Sequence, residues 1–209
     1  MKFKICGINN TSTIDCCEKN GVNFFGMIFY KKSPRFISLN ESKKLVRYSL
    51  QKNIEPVGVF VDENIENIVK IIHYLKLKYI QLHGSENNEF IINLKKITKI
   101  KVLKSISVNS HDDIINTKKI NDADFFLFDY QPLKNELPGG NAKQFDWEIL
   151  KNIKISKPWF ISGGINEENI NKIKDFANPD GIDLSSGVEE SPGIKNNNMI
   201  NSLFKKYYD

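Results

Sequence analysis

Short runs of β-branched and aromatic residues alternate along this chain with longer stretches whose apolar residues recur at helical spacing. The strand-like runs are Lys2 to Ile8, Val22 to Phe29, Pro56 to Val61, Tyr79 to Leu82, Val102 to Ile106, Asp124 to Phe128, Pro158 to Ser162 and Gly181 to Leu184. Between them, Asn64 to Leu75 is the clearest helix, with Ile65, Ile68, Val69 and Ile72 on one face at i, i+3, i+4 and i+7. Similar faces recur in Ser42 to Leu50, Asn88 to Lys96 and Asn166 to Phe176. Strands and helices in strict alternation signal repeated βα units on a parallel sheet. About eight units in 209 residues predict an α/β protein built as one (β/α)8 barrel domain over residues 1–209, at the small end for that fold.

A doubly wound open sheet is the competing arrangement, and strand parity favours the barrel. Val57, Val59 and Val61 are uniformly aliphatic while Gly58, Phe60 and Asp62 alternate with them and end in a carboxylate. That pattern fits a strand with one face on the helices and the other filling a barrel that ends in a polar rim. The same parity places Ile80, Leu82, Phe126 and Phe128 outward, and Gln81, His83, Leu127 and Asp129 inward. The longest irregular segment, Tyr130 to Phe145, carries Pro132, Pro138, Gly139 and Gly140, and a loop of that length in a compact barrel is usually functional.

Composition removes several classes of function. No apolar run approaches the roughly 20 residues of a spanning helix. The opening residues, Met1 to Gly7, resemble no secretory signal, which predicts a cytoplasmic protein without a membrane partner. The formal charge is +5, but Lys is scattered among Asp, Glu and Asn, and Arg occurs only at Arg35 and Arg47. A solvated lysine surface explains this better than a nucleic-acid partner. The 3 cysteines, Cys6, Cys16 and Cys17, have neither disulfide parity nor zinc spacing, so neither a disulfide scaffold nor a structural metal is expected. Cys16 and Cys17, in a first helix, read as core packing or a solvent-facing pair more readily than as a redox or metal site.

In a barrel of this kind the residues at the carboxyl ends of the strands are the candidates for chemistry. They are Cys6, Tyr30, Asp62, His83, Ser105 or Ser107, Asp129, Ser162 and Ser185. Ser162-Gly163-Gly164 and Ser185-Ser186-Gly187 close the last two strands, and two adjacent small-residue turns suit a phosphate. Cys6 ends a strand before Gly7, the place of an exposed thiol, although a buried structural cysteine is the commoner fate. Asp129 follows Phe125-Phe126-Leu127-Phe128, and a partly desolvated carboxyl there suits a general acid, or simply caps the next turn. His83 fits an anion site, an acid–base role or a satisfied rim histidine. Arg35 is the residue type preferred for a planar carboxylate, against the plain reading of a solvated loop arginine. Lys4 shares parity with Cys6 and Asp183 with Ser185, and closure makes their strands neighbours, so an interior Lys4–Asp183 ion pair is predicted.

Taken in order, these pieces resemble the phosphoribosylanthranilate isomerase family. The resemblance runs end to end, through Lys4-Ile5-Cys6-Gly7-Ile8, Gln81-Leu82-His83-Gly84, Phe128-Asp129, Gly139-Gly140, Ser162-Gly163-Gly164 and Asp183-Leu184-Ser185-Ser186-Gly187-Val188-Glu189 with Pro192-Gly193. It implies a cofactor-free Amadori rearrangement of N-(5-phosphoribosyl)anthranilate to 1-(2-carboxyphenylamino)-1-deoxyribulose 5-phosphate. By resemblance Asp129 is the general acid and Cys6 the general base, with something needed to lower the thiol pKa. Gly163, Gly164, Ser185, Ser186 and Gly187 then hold the phosphate, Arg35 the anthranilate carboxylate, and His83 neighbours the substrate. A small-molecule substrate and a monomer or homodimer are the implied partners. The sequence departs from the pattern at Asn9, at Ala142, where a loop glycine is common, and at Asn196. The competing functions are a histidine-pathway aminoaldose isomerase, which uses paired aspartates, and a non-catalytic phosphate-ligand binder.

Overall fold

The computed structural model describes residues 1–133, 136 and 139–209. Pro138, noted above in the long loop, lies outside the described residues. Eight parallel strands form a closed barrel in sequence order: β1 (Lys2–Cys6), β2 (Phe24–Ile28), β3 (Glu55–Phe60), β4 (Tyr79–Leu82), β5 (Lys101–Val108), β6 (Phe125–Tyr130), β7 (Trp159–Ile161) and β8 (Gly181–Leu184). Closure pairs Lys4 with Asp183 and Ile5 with Leu184. The α/β expectation thus resolves to the TIM-barrel architecture, and the open sheet is excluded.

The helices are α1 (Thr11–Lys19), α2 (Leu39–Gln51), α3 (Ile65–Leu75), α4 (Asn88–Ile97), α5 (His111–Ile115) and α6 (Asn197–Tyr208). Their starts are written locally. Asn10, Asn64 and Asn87 each accept from a backbone N–H three residues on, and Ser38 with Glu41 forms a capping box. Asn166 to Phe176 does not form the expected α-helix, and Ile170–Asp175 is a 3-10 helix. Ile170 and Ile173 are both buried there, and a spacing of three serves a 3-10 turn as well as an α-helix.

The main core lies between barrel and helices, where Ile80, Leu82, Phe126 and Phe128 point as predicted. Cys16 and Cys17 are buried in the same layer, which is the packing reading. A second, smaller core of Leu103, Leu127 and Phe160 fills the barrel interior. One parity assignment is corrected. Phe60 stacks on Phe29 in the outer core, while Val59 and Val61 face the cavity at the barrel mouth. Asp62 is therefore not an inward rim residue. β3 ends at Phe60, and Asp62 takes a left-handed φ of 48° that turns it outward to accept from Ser85. A polar terminal residue marks the inward face only while the strand continues through it.

Candidate active site

The mouth of the barrel at the strand carboxyl ends holds one cavity that brings together Cys6 from β1, Arg35 from the loop after β2, His83 from the end of β4 and Asp129 from β6. Tyr30, Ser162 and Ser185 line it too, whereas Ser105 and Ser107 do not. Cys6, His83 and Asp129 arrive by strand parity and Arg35 by the loop, and the rest of the geometry is set by what surrounds them.

Cys6 is buried, and a side chain on the facing strand would exclude it, since a Cβ on Gly26 would lie 2.6 Å from the sulfur. Lys4, two residues earlier on the same face, donates to Asp183 Oδ2 at 2.8 Å, which is the predicted interior ion pair. Asp183 Oδ1 is buried without a hydrogen bond. Burial works against the Lys4 charge, but Asp183 and the Cys6 thiol more than offset it, so its pKa lies above the usual lysine value. Burial likewise pushes the Cys6 thiol up. Lys4 and Lys195 pull it down and Asp183 opposes them, leaving it above the ordinary thiol range. The resemblance implies a lowered thiol pKa, and the direction here is the reverse: Lys4 and Lys195 act to lower it, but burial outweighs them.

Asp129 stands across the mouth, buried, with Oδ1 accepting from the Tyr130 N–H at 2.8 Å. His83 Nε2 is 3.4 Å from Asp129 Oδ2, and Gln81 holds the opposite ring nitrogen. Gly139 packs against this pair so tightly that a Cβ there would sit 2.9 Å from His83 Nε2. In the same loop Ala142 has φ 55°, a conformation glycine adopts without strain.

Arg35 is neither solvated nor waiting empty. Its Nε and Nη2 donate to the two oxygens of Glu189 at 2.8 and 2.7 Å, and Nη2 also reaches the Gly140 carbonyl at 3.2 Å. Glu189 belongs to a hairpin of β9 (Glu189–Ser191) and β10 (Ile194–Lys195), and Lys195 donates to it as well. Burial alone would raise the Glu189 carboxyl, yet Arg35 and Lys195 hold it below the usual carboxylate range. Sequence reasoning gave Glu189 and Lys195 no role, because nothing in one sequence says that a hairpin after the last strand folds back onto the mouth.

The two small-residue turns meet. Gly163, Gly164, Ser185 and Ser186 line one recess beside Asp129, with φ of 89° and 63° at the two glycines, which other residues rarely adopt. Gly187 does not line the recess. It packs on the Ile165 carbonyl, where a Cβ would collide.

The model of the family described as N-(5'-phosphoribosyl)anthranilate (PRA) isomerase matches residues 3–206. The chain belongs to that family. An N-(5'-phosphoribosyl)anthranilate isomerase of Mesorhizobium japonicum is 36% identical over 207 residues, covering 98% of this chain and 94% of that protein. One from Parabacteroides distasonis is 34% identical, covering 99% of this chain and 93% of its own. Among solved structures, the phosphoribosyl anthranilate isomerase of Thermotoga maritima superposes with a TM-score of 0.88 at 30% identity, covering 100% of this chain and 98% of that one. As a PRA isomerase family member the chain is an isomerase enzyme of tryptophan biosynthesis. Among the described residues no helix is long and apolar enough to cross a membrane.

Proposed function

We propose that this chain converts N-(5'-phosphoribosyl)anthranilate to 1-(2-carboxyphenylamino)-1-deoxyribulose 5-phosphate by general acid–base catalysis between Asp129 and Cys6. The observation that carries this reading is that one cavity presents a carboxyl group and a thiol from opposite sides of the barrel, with separate anion-binding features at its two ends. A related enzyme has been solved in complex with reduced 1-(o-carboxyphenylamino)-1-deoxyribulose 5-phosphate, at a TM-score of 0.83 and 29% identity.

The phosphate sits in the Gly163-Gly164 and Ser185-Ser186 recess, where backbone N–H groups and hydroxyls donate to it. Gly187 supports that recess by letting the two turns touch. Glu189 takes Nε and Nη2 of Arg35, so the anthranilate carboxylate is met by Nη1. Holding both anionic ends fixes the sugar between acid and base, which is where positioning lowers the barrier. Asp129 gives its proton to the ribose ring oxygen as the C1–O bond breaks, opening the furanose to a Schiff base. The Cys6 thiolate takes the C2 proton, the C2–H electrons form the C1–C2 double bond as the C1=N π pair returns to nitrogen, and the enolamine tautomerises to the ketone. His83 orients the Asp129 carboxyl from the other side.

The test is the decay of the substrate's anthranilate fluorescence with purified protein, corrected for spontaneous hydrolysis, with the aminoketose identified as product. Enzyme-dependent decay to that product is expected, and folded protein without it would overturn the reading. Arg35→Ala is expected to raise KM by about tenfold to a hundredfold, the worth of a charge-assisted contact, while kcat changes less. A KM equal to the parent's would remove the carboxylate role.

A further inference from the structure

The reaction as derived makes no use of the lysine buried closest to the thiol. Lys4 precedes Cys6 by two residues on β1, so both point into the barrel about 7 Å apart along the strand. The two side chains share one face of the strand, and the buried ammonium and the sulfur act on each other's charge. Lys4 is 1% exposed, so solvent does not screen it, and among the described residues its carboxylate partner is Asp183 Oδ2. An ammonium has three N–H groups, and this arrangement leaves donors for the sulfur.

An ion pair of this depth is hard to explain as a device for stability. Buried pairs replaced together by apolar residues are often neutral or stabilising, so burying one beside a nucleophile calls for another reason. The geometry supplies it. Gly26 closes the opposite side of the sulfur so tightly that a single Cβ would clash, Asp183 fixes the ammonium on the near side, and the sulfur faces the cavity.

We infer that Lys4 is a positioning residue of the reaction, its ammonium anchored by Asp183 and serving as the counterion that favours the charged form of the Cys6 sulfur when it takes the C2 proton. The inference rests on Cys6 being the base. Lys4 stays an ammonium throughout. The C2 proton goes to sulfur, the C2–H electron pair goes into the C1–C2 bond, and the C1=N π pair of the Schiff base goes to nitrogen. The charged groups acting on the sulfur are Lys4 from β1, Asp183 from β8 and Lys195 from β10, while Asp129 and His83 act on Asp183 from across the mouth. Both ammoniums are paired, Lys4 with Asp183 and Lys195 with Glu189, and of the two Lys4 acts on the sulfur more strongly.

The experiment is the pH dependence of Cys6 alkylation by iodoacetamide, followed by mass spectrometry of the peptide containing Cys6 so that Cys16 and Cys17 do not contribute. Lys4→Met is expected to move the midpoint up by about one pH unit or more, roughly tenfold less thiolate at any lower pH. The acid limb of kcat/KM should move with it and KM should change little. Asp183→Asn, read well below its own melting temperature, keeps the ammonium and removes the opposing carboxylate, so its midpoint moves down. An unmoved midpoint in Lys4→Met, or both variants shifting the same way, would overturn the inference. Where Lys4→Met does not fold, Lys4→Met/Asp183→Asn leaves neither buried charge stranded. An upward shift is still expected there, because Lys4 acts on the sulfur more strongly than Asp183, and an unchanged midpoint counts against the role of Lys4. Failure of the underlying assignment looks different, since Cys6→Ala would then keep turnover whatever the titration shows.

Discussion

Turnover in Cys6→Ala is expected to fall by about 10²- to 10⁴-fold, the contribution a positioned general base makes. The substitution removes one sulfur beside Gly26 and strands no charge, because Lys4 keeps Asp183, so the fold and KM should survive. The parent also carries a pH signature. Burial holds the thiol above its ordinary range, so over roughly pH 6 to 9 the thiolate fraction, and with it kcat/KM, rises as protons are removed. That rise should vanish in Cys6→Ala. Initial rates across this range check both statements, and a variant within about tenfold of the parent at every pH would remove Cys6 from the chemistry.

Asp183→Asn should produce the largest loss of stability. Breaking a buried ion pair by removing one partner costs about 3–5 kcal/mol, since it leaves a charge without its counter-charge. For a chain of this length that is a fall in Tm of roughly 6–20 °C. The direction follows from Lys4, whose buried charge is offset chiefly by Asp183 and loses that compensation when the carboxylate is gone. Calorimetry at neutral pH is the measurement. A melt close to the parent's would mean that the ammonium finds full compensation from the sulfur alone.

Most of the barrel was readable in the sequence because a parallel strand covered on both faces must carry apolar residues outward and a regular set inward. Gln81, Leu127 and Asp129 obeyed that rule, and the pairing of Lys4 with Asp183 followed from closure alone. The rule failed where the chain leaves the strand. Asp62 was misassigned because a left-handed residue after Phe60 breaks the alternation, and Asn166 to Phe176 because a spacing of three fits two kinds of helix. In the site, Cys6, His83 and Asp129 sat at strand ends and were visible. Glu189 and Lys195 were not, since their partnership with Arg35 depends on the path of a hairpin that no local period encodes. Gly187 was placed in the recess by its neighbours' chemistry, yet its lack of a side chain serves contact with Ile165 instead.

The contacts that make the site join the two extremes of the chain. Lys4 and Asp183 are 179 residues apart, and Arg35 and Glu189 are 154 apart. Contacts so distant in sequence are costly for a folding chain, because the loop-closure cost comes before any reward from them. A half-formed barrel can hold native strands and helices while its thiol lacks a counterion and its arginine lacks a carboxylate partner. During refolding, catalytic competence therefore marks the moment β1 and β8 zip together, and secondary structure gained earlier gives no hint of it.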